Sequence, residues 1–185
     1  MNELPEPDKV IDIDLPVVAK KGLYITGLAL IILLVIHFVL EKGMYIRLSF
    51  ISILLFIVGY VLLIVLHELF HLLGFRLFAG VPWRKMVVGV NLKLGIAYAT
   101  TDELMSNKEI RKALLLPFWM TGILPALIGL YIGSGVVIVL SALLIGGAVG
   151  DFVMYKELKK LPDNWFIKDD PELPRLYVFS PKKTA

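Results

Sequence analysis

Apolar residues fill positions 22–40, 45–78, 114–131 and 136–155 almost without interruption, each run about long enough for a helix to cross a bilayer. The second run exceeds what one crossing needs, so its helix is expected to tilt or to emerge along the membrane surface. After it the period changes. Val90, Leu92, Leu94, Ile96 and Tyr98 alternate with Asn91, Lys93, Gly95, Ala97 and Ala99, which is the pattern of a strand. Gly89 and Gly95 mark turns or close backbone approach, so residues 83–101 predict a small hairpin or sheet lying on the membrane. Gly80-Val81-Pro82 stops the second helix, and Ser106 with Glu109 has the spacing of a capping box ahead of the third. Pro117 and Pro125 interrupt that third run and predict kinks or a loosened, gate-like helix. Glu41-Lys42-Gly43 and Gly133-Ser134-Gly135 are short turns.

The ends are polar and carry prolines. The first 21 residues read as a loosely ordered tail, although Val10-Ile11-Asp12-Ile13-Asp14-Leu15 alternates well enough for a short strand. They lack the basic start and small-residue cleavage site of a signal peptide and are expected to be retained. Residues 156–185 predict no long helix. The expected fold is thus a predominantly α membrane protein, with about four transmembrane helices and a small β-hairpin or sheet between helices two and three. It divides into a polar segment 1–21, a transmembrane domain 22–158 and a C-terminal tail 159–185.

Composition agrees with this. The chain has 185 residues, 58% of them hydrophobic, and a mean hydropathy of +0.80, far from the soluble globular range. It has no cysteine, which excludes disulfides and thiolate metal sites. The net charge of +3 is accounted for by topology and lipid headgroups and does not indicate nucleic acid. Of 19 Lys and Arg, only Lys42 and Arg47 fall on the side of the two short turns. Lys20, Lys21, Arg84, Lys85, Arg111, Lys112, Lys156, Lys159 and Lys160 fall on the other. The positive-inside rule makes that basic side, with both termini, cytoplasmic, as in the plasma membrane of a prokaryote.

The second apolar run contains His67-Glu68-Leu69-Phe70-His71. Residues four apart share a helix face, so both imidazoles can address one ion, and Glu68 projects from the same turn toward a water on that ion. Two imidazoles suit Zn²⁺, and the carboxylate can take the proton of the water. Ionisable groups in an apolar helix cost too much to be incidental.

A catalytic zinc usually takes three protein ligands and keeps one position open. Depth selects the third. His67 lies about 30 Å along the second helix from Arg47, and Asp151 about 24 Å along the fourth from Gly135, so both reach the cytoplasmic third. Gly146, Gly147, Ala148 and Gly150 let the fourth helix approach another closely, bringing the Asp151 carboxylate into range. His37 sits near the outer face and reads as a packed or interfacial histidine. Asp102, Glu103 and Glu109 read as a solvated helix start.

This motif on a membrane helix, with Gly150-Asp151 on a later one, resembles the site-2 protease class of intramembrane zinc metalloproteases. More closely, residues 60–165 resemble a family of small membrane zincins known mainly as a domain of unknown function. The likeness includes Ala97-Tyr98-Ala99-Thr100, Leu116-Pro117, Gly147-Ala148-Val149-Gly150-Asp151 and Leu161-Pro162. It implies Zn²⁺ held by His67, His71 and Asp151, with Glu68 as catalytic carboxylate, acting on a membrane protein or membrane-tethered peptide. Phe152 follows Asp151 where site-2 proteases have glycine, and no Asn precedes it. A diiron oxygenase needs more ligands than three histidines allow. A non-proteolytic metal-binding transporter or inactive scaffold would have no use for Glu68. The sequence leaves oligomeric state open.

Overall fold

The computed structural model describes residues 5–41, 49–91, 93, 95–171 and 173–181. The turn at Lys42-Gly43, the position of Arg47 and the strand positions Leu92 and Leu94 lie outside these. The chain divides into two units, one of Leu15–His67 and Pro117–Gly150, the other of Met1–Asp14, Glu68–Leu116 and Asp151–Ala185.

The first unit is helical. Helix α1 (Leu15–Glu41) begins at Leu15, earlier than the apolar run, because Pro16 fits the first turn of a helix without losing a needed hydrogen bond. Helix α2 (Phe50–Ala79) follows and continues into the second unit. A turn at Gly133, with φ of 67°, leads to helix α5 (Gly135–Gly147), whose first turn is capped by the Ser134 hydroxyl. Gly146 packs on α1: an added β-carbon would lie 1.8 Å from Thr26 Oγ1 and 2.7 Å from the Gly22 carbonyl. Gly147, expected to share in that approach, meets nothing within 4 Å. Of the two glycines that end α5, only Gly146 serves the α1–α5 contact.

Between α2 and α5 runs one long helical passage. Helix α3 (Asn107–Pro117) passes into a π-helical stretch (Phe118–Ile123) and then α4 (Leu124–Tyr131). Helix α6 (Val149–Leu158) continues the path of α5. By length and hydropathy four spans result, Leu15–Leu40, Phe50–Ala79, Asn107–Tyr131 and Gly135–Leu158. Leu23, Phe50 and Tyr131 are among their many exposed large apolar side chains, the surface that lipid covers.

The second unit adds two sheets. Strands β2 (Met86–Asn91) and β3 (Ile96–Thr101) form the expected hairpin, with Tyr98 opposite Gly89, where a β-carbon would strike the tyrosine ring. A four-stranded antiparallel sheet, absent from the sequence reading as a sheet, has the order β1–β6–β5–β4. It comprises β1 (Lys9–Asp12), β4 (Met105–Ser106), β5 (Phe166–Asp169) and β6 (Arg175–Phe179). The N-terminal segment is thus paired strand, and the C-terminal tail supplies the two central strands. Ile11, Met105, Ile167, Leu176 and Val178 of this sheet are buried in one core with Leu72, Phe75, Ile110 and Ala113 of the helices. The capping box holds: the Ser106 amide donates to Glu109 Oε2 at 2.9 Å and the Glu109 amide to Ser106 Oγ at 3.4 Å. Asn107, fully buried, donates from Nδ2 to the carbonyls of Leu158, Leu161 and Pro162 at 2.9–3.0 Å, tying the start of α3 to the end of α6.

Candidate metal centre

Helix α2 is unbroken from Phe50 to Ala79, so His67 and His71 sit one turn apart on one face. Both are buried, at 8% and 7% exposure. Asp151, in the first turn of α6, brings Oδ1 to 3.3 Å from His71 Nε2. Ligating atoms of His67, His71 and Asp151 all lie within 4.8 Å of one another, the one such group of His, Cys, Asp and Glu among the described residues. Two buried imidazoles and a half-buried carboxylate, gathered without thiols, fit a catalytic zinc that keeps a position open. The three residues expected at the centre are therefore brought together. Glu68 stands close enough to His71 to interact with it electrostatically.

The rejected candidates stand elsewhere. His37 is buried on α1 at 1% exposure and does not join the group. Glu103 pairs with Lys85 at 3.4 Å, and Glu109 is committed to the capping box.

The third helical passage packs on α2 at Ala113 and meets His67 at Thr121. Gly74, one turn beyond His71 on α2, allows the first approach: a β-carbon there would lie 2.7 Å from Ala113 Cα. Thr121 Oγ1 lies 3.2 Å from His67 Nδ1. Thr121 was not among the expected site residues; its only sequence signal is a hydroxyl within an otherwise apolar run.

Asp169, at the end of β5, was missed as well, because Lys168-Asp169-Asp170-Pro171 reads as a solvated turn. Removal from water raises its pKa to about 7, against the opposing influence of nearby Thr100 and of the charge of His71. It lines a cleft of about 480 Å³ with Lys168, Asp170, Leu173, Tyr177 and Phe179.

No curated protein and no solved structure matches the chain significantly. One family profile does, described as "Putative zincin peptidase", over residues 60–166. The matched segment runs from the middle of α2 to the start of β5 and takes in the hairpin, His67, Glu68, His71 and Asp151. It spans more than half of the chain, and the chain belongs to this zincin peptidase family.

Proposed function

We propose that the protein is an intramembrane zinc metallopeptidase of site-2-protease type, hydrolysing peptide bonds of membrane-embedded or membrane-adjacent proteins. The observation that carries this reading is the meeting of Asp151 with His71 at 3.3 Å beside Glu68, on a helix apolar enough to span a bilayer. His67, His71 and Asp151 hold the metal. Bound Zn²⁺ supplies Lewis acidity, which lowers the pKa of a coordinated water and polarises a carbonyl. Glu68 takes the proton of the attacking water as its oxygen adds to the peptide carbon, then delivers that proton to the nitrogen as the C–N bond breaks. The apolar helices around the pair keep bulk water away, and electrostatic interactions there are correspondingly strong.

A helical substrate hides its carbonyls in its own hydrogen bonds and must unwind to be cut. The β2–β3 hairpin, with Val87, Val88 and Val90 exposed, offers strand edges on which an unwound segment is held extended. Pairing of β1 with β6 supports an even number of crossings, since strands that share a ladder share a side of the membrane. The charge asymmetry makes that side the cytoplasm of a prokaryote.

Two variants test the reading. Glu68→Gln is expected to keep zinc and lose cleavage of a membrane-tethered substrate by at least about 10²-fold. Asp151→Ala is expected to lose zinc on metal analysis of the purified protein. Unchanged cleavage by the Gln variant would overturn the role of Glu68 as proton acceptor, and a parent that binds zinc but cleaves nothing would be a metal-binding membrane protein without peptidase chemistry. Full zinc occupancy in the Ala variant would remove Asp151 from the ligand set.

A further inference from the structure

The third helical passage departs from regular geometry where it passes the two histidines, and the cause is Pro117. Proline has no N–H, so the carbonyl four residues earlier, that of Ala113, receives no helical hydrogen bond. That residue packs on α2 at Gly74, one turn beyond His71. Beyond Pro117 the chain takes a π turn over Phe118–Ile123, a form concentrated at functional sites. In this turn the Thr121 hydroxyl donates to the Pro117 carbonyl at 2.8 Å.

Back-bonding of a helical threonine to the carbonyl four residues earlier is common and by itself only structural. Here it has a chemical consequence. A threonine hydroxyl has a single proton, and Pro117 takes it. Toward His67 Nδ1, 3.2 Å away, Thr121 Oγ1 can only accept, so the imidazole must be the donor. A neutral imidazole protonated on Nδ1 carries its lone pair on Nε2. Thr121 is 1% exposed and Pro117 is fully buried, so no solvent molecule replaces either partner.

We propose that Thr121, held by the Pro117 carbonyl in the π turn, is a positioning residue of the metal centre that fixes His67 as the Nδ1–H tautomer and presents Nε2 to the ion. The proposal rests on the zinc reading for the identity of the ion, while the tautomer follows from the hydrogen bonds alone. Thr121 touches neither metal nor substrate; it acts through His67, as the outer partners of metal-bound histidines generally do.

The test uses the full chain in detergent, with zinc affinity measured by chelator competition and His67 followed by ¹⁵N resonances in histidine-labelled metal-free protein. Thr121→Val, which keeps the shape and removes the hydroxyl, is expected to weaken zinc binding about 10- to 100-fold, while Thr121→Ser stays within about threefold of the parent. In the parent, His67 is expected to show a protonated Nδ1 and an unprotonated Nε2 before metal is added. Equal affinity of the Val variant and the parent overturns the proposal, as does an equal loss in the Val and Ser variants. If Thr121→Val fails to fold, the parent's resonances decide: an Nε2–H tautomer overturns the assignment, and an Nδ1–H tautomer supports it. A parent that binds no zinc overturns the metal-centre role, and the resonances then show separately whether the tautomer assignment stands.

Discussion

Gly146 and Thr26 are packed so closely that a single β-carbon on the glycine would fall 1.8 Å from the threonine hydroxyl. Helices α1 and α5 touch at this point by leaving out a side chain, the usual way for helices to gain contact in lipid, where no hydrophobic driving force separates helix from solvent. Gly146→Ala is expected to destabilise the protein by about 1–3 kcal/mol, because Gly22's carbonyl blocks the retreat of the new methyl as much as Thr26 does. Gly147→Ala has open space and is expected to be neutral or slightly stabilising, by about 0.5 kcal/mol. Thermal unfolding of the two variants in detergent checks the contrast; equal melting temperatures would refute it.

Asn107 bears on the site from a distance. One amide nitrogen serves three carbonyls where α6 ends, and α6 is the helix that carries Asp151. Removing the donor leaves buried carbonyls unsatisfied, so Asn107→Ala is expected to cost about 1–3 kcal/mol. Asn107→Asp, which sets a carboxylate against those carbonyls, is expected to cost more. Unfolding measurements rank the two, and the reverse order would show that packing of the side chain matters more than its donor.

Asp169 predicts a pH dependence with a definite sign. Its pKa rises from 3.8 to about 7 on folding, so between those values the folded protein holds a proton that the unfolded chain has released. Stability therefore falls as pH rises through this window, and the cost is complete above about pH 7. Asp169→Asn has no proton to lose. In zinc-free protein it is expected to match the parent at pH 4 and to exceed it at pH 8, by of the order of 1–3 kcal/mol. Melting curves across that range test this, and a constant offset between the two proteins would count against it.

The helices and the candidate ligand group could be read from the chain because both leave one-dimensional traces. Apolar runs of bilayer length declare spans, and His67 with His71 states a shared face through spacing alone. Depth along two helices then favoured Asp151 over His37, while Asp102 and Glu103 read as a solvated helix start. The four-stranded sheet leaves no such trace. Residues 9–12 and 175–179 pair across nearly the whole chain, and their short alternations resemble tails until a partner is known. Thr121 and Asp169 were hidden for a related reason. Each is placed by a backbone event, a π turn or a strand end, whose position the residue types do not announce.

The ladder between β1 and β6 also orders events in time. Synthesis runs from the N-terminus, so Lys9–Asp12 is made first and must wait, unpaired, until Arg175–Phe179 has been made. Four apolar helices enter the membrane during that wait. Sheet closure comes after the insertion of α2 and of α6, the helices that bear the histidines and Asp151. A chain ending between Phe152 and Trp165 would carry every proposed metal ligand and still lack β5, β6 and Asp169. Nascent or truncated copies thus lack the closed sheet, which forms only once β6 has been made.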